Sequence, residues 1–461
     1  MRIQTDLSQL TIADGTERVR SGAIRPSEWM AACLDIAAGL EPRLKAWAYL
    51  NPDQAMRAAS ARDATDWSAA QIAPALAGVP LAVKDVFNTV DMPCEKGSVL
   101  WKDYTPGNDA RVVERAKWAG AVVMGKSATA EFAVHSAPDT INPVAPDRIA
   151  GTSSTGSAVA VLTGMVPLAL GTQSAGSIIR PASYVGVMGF KPSYGLIPRT
   201  GVLKTCDTLD TIGWFARSVE DLGLALDALR VGGRDHPNVE RGLSAARAKR
   251  AARGHRPWRV AMAIPPSWDQ AQPYARDALE HYAHQIGNRR DMDVSVMDLR
   301  PDLGDVHAVH TTIYHKNLVY YFKRELDNPE LCSESIREVT DDGRSISMEA
   351  YRAALDRQSE LRDVLARKLD DVDVLITLAV AGEAPGLDHP QEPIDSSLVW
   401  TLCGVPSVTV PIFKGPNGLP YGLQIVAPRW GDHTLLEVAK TLYPDVLPCW
   451  RPGRADSARH P

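Results

Sequence analysis

The stretch from 76 to 172 constrains this chain most, because apolar runs and helical patterns alternate along it. "LAGVPLAVKDVF" (76–87) carries the run "GVPLAV", which reads as a buried strand with Lys84 at its end. "RVVERAKWAGAVVMGK" (111–126) reads as a helix followed by the strand "AVVMG". "GTSSTGSAVAVLTGMVPLALGT" (151–172) reads as a Gly/Ser loop, a small-residue helix and a short apolar strand. This alternation predicts an α/β fold. We expect a single α/β/α domain with a mixed sheet, containing parallel strands and surrounded by helices.

The flanks extend the pattern. "PSEWMAACLDIAAGLEPRLKAWAYL" (26–50) has helical spacing, with Ser27 as a candidate cap after Pro26. Further strands are expected at 258–265, 293–299, 372–380 and 405–412, a helix near 271–288, and mostly helix over 303–370. One domain then spans 1–455: N-terminal helices over 1–70, a core over 75–220 and a second half over 257–445. Residues 452–461 read as a mobile tail. The basic run "SAARAKRAARGHRPWR" (244–259) reads as a solvated surface helix or linker, because it lacks the interleaved aromatics of a nucleic-acid arm.

The totals exclude several classes. With 461 residues and 45% hydrophobic side chains the chain can bury a large core, and its net charge of -5 offers no overall basic field to nucleic acid. Six cysteines are scattered without a C-x-x-C pair, which suits neither a zinc site nor a disulfide framework and suggests reduced thiols. "MRIQTDLSQL" has no apolar core segment, and no uninterrupted apolar run reaches the ~18 residues of a membrane span. A cytoplasmic protein acting on a small molecule is expected, with a homo-oligomer left open.

"GTQSAGSIIRP" (171–181) holds Ser174 and Ser177 among glycines. Neither this run nor "GTSSTG" fits the G-x-S-x-G nucleophile elbow. Any of eleven histidines, His135 being the nearest, would complete a Ser-His-Asp set. The isolated Lys84 is the other candidate base. At the end of an apolar strand a lysine is desolvated, which lowers its pKa from about 10.4 toward neutrality. The alternative is an ion pair with its neighbour Asp85. One helix and one strand separate Ser153 from Ser177, so the two loops can meet at one sheet edge. The N–H groups of Ser174, Ala175, Gly176 and Ser177 can converge on an oxyanion, or the glycines can simply make turns.

The blocks "LAGVPLAVKD", "GTSSTGSAVAV", "VPLALGTQSAGSIIRPASYVGVMGFKPSYG", "GVPSVTVPI" and "GLPYGLQIVAP" resemble the amidase signature family over nearly the whole chain. The resemblance implies a catalytic triad of Lys84, Ser153 held by a cis peptide, and nucleophilic Ser177. It implies an acyl-enzyme that hydrolyses an amide, or a related carbamate or urea, with no metal or organic cofactor. Two other activities are in keeping with it: generation of ammonia for a partner, as in an amidotransferase, and amide formation by acyl transfer. An inactive binding protein on the same fold is a rival that retention of all three triad residues disfavours. Many relatives carry G-G-S-S-G-G-S and G-T-D-T-G-G-S where this chain has "GTSSTGS" and "GTQSAGS", and an Arg two residues after the nucleophile where this chain has Arg180 three after. Gln173 and Ala175 therefore mark where substrate choice is expected to depart.

Remaining candidates carry less. His307, His310 and His315, and the pair His281 and His284, have metal-like spacing, but the resemblance implies no metal. The aromatic run 311–326 fits helix packing, or a pocket wall offering Tyr314 and Tyr321. Met92, Gln173 and Trp400 complete the expected substrate-binding set. Asp85 and Glu131 are read as structural partners near the site.

Overall fold

The computed structural model describes residues 6–67, 74–134, 138–254, 256–388 and 395–452. His135 and the tail from 453 onward, both singled out above, lie outside the described residues.

Among the described residues eleven strands form one sheet. In chain order they are β1 (Trp47–Leu50), β2 (Pro80–Lys84), β3 (Val122–Ser127), β4 (Leu168–Gln173), β5 (Met188–Lys191), β6 (Thr211–Ala216), β7 (Trp258–Ile264), β8 (Met292–Asp298), β9 (Val374–Leu378), β10 (Ser407–Lys414) and β11 (Pro420–Val426). Their spatial order is β1-β3-β2-β4-β6-β5-β10-β11-β9-β7-β8. β2 runs parallel to β3 and β4, and β7 runs parallel to β8 and β9. The intervening pairs and the β1 edge are antiparallel. The expected mixed α/β sheet is therefore present, and it is a single α/β domain.

Local sequence explains the parallel centre. β2 and β3 are buried at every residue, as strands covered by helices on both faces must be. The helix Arg111–Trp118 that joins them buries Val112, Val113 and Ala116 and leaves its charged side out. The helix Thr155–Leu162 is buried at all its residues, which its run of small side chains permits. These connections bring the C-terminal ends of β2, β3 and β4 to one side of the sheet, where α/β folds place their ligands. A second apolar cluster gathers the helices Val306–Tyr321, Met348–Lys368 and Leu398–Leu402 with Phe132 and Val134. No helix among the described residues is long and apolar enough to cross a membrane.

Several boundaries differ from expectation. The first long helix ends at Leu44, where Lys45 takes a left-handed φ of 51°, and Trp47–Leu50 becomes strand β1 against β3. Ser27 lies inside that helix and does not cap it. Pro26 occupies the first turn, Glu28 accepts from the Arg25 N–H at 2.8 Å, and the Ser27 hydroxyl donates to Asp63 at 2.6 Å. Strands β5, β6 and β11 have no counterpart in the element reading. β5 and β6 pair with each other across a long connection, and the four residues of β5 offer too little periodicity to read, whereas β11 forms a hairpin with β10. Residues 244–253 of the basic run fall on the helix Pro237–Arg253, which buries only Val239 and Leu243, as a solvated surface helix does, and the run's end at 258–259 enters β7.

Candidate active site

Lys84 ends β2 with its side chain fully buried. Its Nζ lies 2.8 Å from Ser153 Oγ, 3.0 Å from Ser154 Oγ and 2.9 Å from Thr172 Oγ1. Burial drives its pKa well below the ordinary lysine value, and the charge of Asp210 only partly opposes this. The adjacent carboxylate does not serve it. Asp85 instead holds Lys126 Nζ at 2.9 Å and accepts from the Glu95 and Lys96 N–H groups. The alternative of a Lys84–Asp85 ion pair is thereby removed.

Three hydroxyl oxygens surround the amine, each within reach of one of its N–H groups. Ser154 Oγ lies 3.2 Å from the Thr172 carbonyl, to which its hydroxyl donates, so it meets Lys84 as an acceptor. Ser153 makes the shortest of the three contacts.

Ser153 and Ser154 lie in the loop before the helix Thr155–Leu162. Ser177 follows β4 and stands two residues before the helix Ile179–Val185. Gly151, at the start of the Ser153 loop, packs against the helix that follows Ser177: an added Cβ would fall 2.6 Å from Pro181 Cα, and φ is +110°. Only glycine suits both conditions. Ser177 is half-buried. All peptide bonds among the described residues are trans, so the cis bond implied at Ser153 is not found. The trans chain already brings Ser153 Oγ onto Lys84, and the Thr155 hydroxyl donates to the Thr152 carbonyl across the turn.

The loop 174–177 is tied on several sides. Ser174 Oγ donates to Asp210 Oδ1 at 2.6 Å, and Asp210 also accepts from the Thr205 and Cys206 N–H groups. Gln173 is fully buried inside the loop. Its Oε1 accepts from the Ile178 and Ile179 N–H groups at 2.8 and 3.0 Å, and its Nε2 donates to Thr401 Oγ1. Gly176 lies under Asp395, whose Oδ2 would be 2.1 Å from an added Cβ and which pairs with Arg180 at 2.6 Å. A small hollow beside the loop is lined by Thr172, Ser174 and Asp210, by the apolar Val86, Val202, Leu203 and Ile212, and by Arg199 and Lys204.

The other expected residues are dispersed. Met92 is buried in the main core and borders a separate hollow with Gln54, Arg62 and Lys117. Tyr314 is buried in the second cluster, where burial lifts its hydroxyl pKa and Thr205 hydrogen-bonds it. Tyr321 donates to Asp207 at 2.6 Å. Trp400 is fully buried, and its indole N–H has no partner among the described residues. Glu131 accepts from Ser98 and from the Ser333 N–H. His310 meets the Ser174 carbonyl, His315 meets Asp342 and His281 meets Gln285. The described residues contain no group of three His, Cys, Asp or Glu disposed to hold a metal.

Sequence reasoning passed over Ser154, Thr172, Asp210 and Thr401. The first two sit inside the blocks already quoted, so a request for every hydroxyl near Lys84 would have found them. Asp210 and Thr401 reach the loop from elsewhere in the chain and carry no local signal.

Comparison with known proteins places the whole chain in a family. The family profile described as Amidase matches residues 28–436. A glutamyl-tRNA(Gln) amidotransferase subunit of Chloroflexus aurantiacus is 30% identical, over 94% of this chain and 96% of its own length. The crystal structure of an amidase superposes with a TM-score of 0.81 at 26% identity, covering 95% of this chain and 100% of the other. The native peptide amidase of Stenotrophomonas maltophilia gives a TM-score of 0.77 at 25% identity, covering 99% of both chains. The buried lysine among hydroxyls and the glycine-rich loop beside it thus sit in a chain that belongs to the amidase signature family.

Proposed function

We propose that this protein is an amidohydrolase that cleaves a linear amide-type C–N bond through a serine acyl-enzyme. The observation that carries this reading is Lys84, buried among three hydroxyls while its carboxylate neighbour is taken by Lys126. Neutral Lys84 takes the Ser153 hydroxyl proton as Ser153 takes that of Ser177. Ser177 Oγ bonds to the substrate carbonyl carbon, and the oxyanion that forms is held by N–H groups of residues 174–177. The proton returns through Ser153 to the leaving nitrogen as the C–N bond breaks. Water, deprotonated by the same relay, then releases the acid and restores Ser177. No step calls on a metal or an organic cofactor.

Likeness to an amidotransferase component supports a second reading, in which a partner receives the ammonia. A screen of aliphatic amides, aryl amides and carbamates with the purified chain, using Ser177→Ala as the blank, tests both. Turnover by the chain alone that vanishes in the blank supports the hydrolase. Turnover appearing only with a co-purifying partner favours the second reading, and equal turnover in the blank overturns Ser177.

A further inference from the structure

The second half of the chain reaches the loop 174–177 through two donors. His310, on the helix Val306–Tyr321, sets its Nε2 2.8 Å from the Ser174 carbonyl. A carbonyl oxygen only accepts, so this nitrogen carries a proton. Thr401, on the helix Leu398–Leu402, donates its hydroxyl to the Ala175 carbonyl at 2.6 Å while accepting from Gln173 Nε2 at 3.0 Å. Both helices belong to the second apolar cluster, against which Ala175 also packs.

Peptide planarity gives these bonds a consequence. In a trans peptide the C=O of one residue and the N–H of the next point in opposite directions. Holding the Ser174 carbonyl toward His310 therefore turns the Ala175 N–H away from it. Holding the Ala175 carbonyl toward Thr401 does the same for the Gly176 N–H. Two consecutive N–H groups are thus turned away from the second apolar cluster, and successive N–H groups of this kind make an anion-binding concavity. The two anchored carbonyls fix the peptide planes on both sides of Ala175.

We propose that His310 and Thr401 are positioning residues that aim the oxyanion-binding N–H groups of Ala175 and Gly176. This rests on the reading of Ser177 as nucleophile. His310 serves the loop through its Nε2–H, and Thr401 couples the same loop to the Gln173 strut.

The test compares His310→Phe, His310→Gln and Thr401→Val with wild type on an aryl amide. Active sites are counted by fluorophosphonate labelling of Ser177, and rates are expressed per labelled site. Losing one well-aimed oxyanion donor costs about 10²-fold in kcat. His310→Phe and Thr401→Val are expected to lose about 10- to 100-fold in kcat per labelled site, with KM within about twofold. His310→Gln, which keeps an N–H near the Nε2 position, should recover most of that loss. A role confined to folding would lower the labelled fraction and leave kcat per site intact. That result, in either His310→Phe or Thr401→Val, overturns the proposal while Ser177→Ala remains inactive. If Ser177→Ala keeps wild-type turnover, the catalytic reading itself fails, and the two failures are distinct. Should His310→Phe not fold, Thr401→Val, nearly the same shape, decides alone.

Discussion

Lys84 and Lys126 stand on the paired strands β2 and β3, and both are fully buried. Lys126 meets the Asp85 carboxylate and the Pro93 carbonyl, at 2.9 and 2.8 Å. Lys84 meets three hydroxyls and no carboxylate within ion-pair distance among the described residues. Burial is the same, but the partners differ in charge. A buried ammonium with a carboxylate is compensated and builds structure. A buried amine among hydroxyls loses its proton more readily and becomes a base. One residue decides the assignment: Asp85 follows Lys84 in the chain yet turns to the other lysine.

The largest test of this contrast removes each lysine's function in turn. Lys84→Ala should lower kcat by about 10⁴-fold or more, with the protein folded, as loss of a general base that acts as a unit with its nucleophile does. Steady-state kinetics and circular dichroism check this together. Asp85→Asn should act on the other side of the comparison. It leaves Lys126 as an uncompensated buried charge and should cost about 3–5 kcal/mol of stability. The folded fraction should keep kcat within about threefold, and urea unfolding with active-site counting separates the two quantities.

A smaller effect sharpens the same point. In the unfolded chain Lys84 binds its proton up to about pH 10.4, whereas the folded chain releases it at lower pH. The lowered folded-state value therefore costs stability wherever the unfolded chain is protonated, and this cost fades as pH rises toward the unfolded value. Lys84→Met, which needs no such release, should be about 1 kcal/mol more stable than wild type at pH 7. Its advantage should shrink as pH approaches 10, whereas an advantage constant with pH would mean that Lys84 keeps its charge when folded.

The same contrast explains how far the sequence could be read. Alternating apolar and helical runs over 76–172 were enough to put Lys84 at a strand end and to bring the two serine loops to one sheet edge. Which partner Asp85 takes was not legible, because Lys126 lies 41 residues on and is joined to it only by strand pairing. Gln173 shows a different limit. Its departure from the residue many relatives carry suggested a group facing substrate, but its side chain is long enough to fold back onto the Ile178 and Ile179 N–H groups. His310 reads as one member of a histidine repeat in the sequence, and only the packing of its helix on the loop gives it the Ser174 carbonyl. Trp47–Leu50 continued a helical spacing until the left-handed turn at Lys45 released it to pair with β3.

The central claim is that Lys84 is the neutral base acting on Ser177, and the pH dependence of Ser177 labelling by a fluorophosphonate measures it most directly. Intact-mass spectrometry follows the labelling rate of wild type and Lys84→Ala. The rate in wild type should rise through a single ionisation clearly below the ordinary lysine value of about 10.4 and then level off. In Lys84→Ala that ionisation should vanish and the rate fall by about 10³-fold or more. An ionisation at the ordinary lysine value, or one that survives in Lys84→Ala at an undiminished rate, would contradict the account.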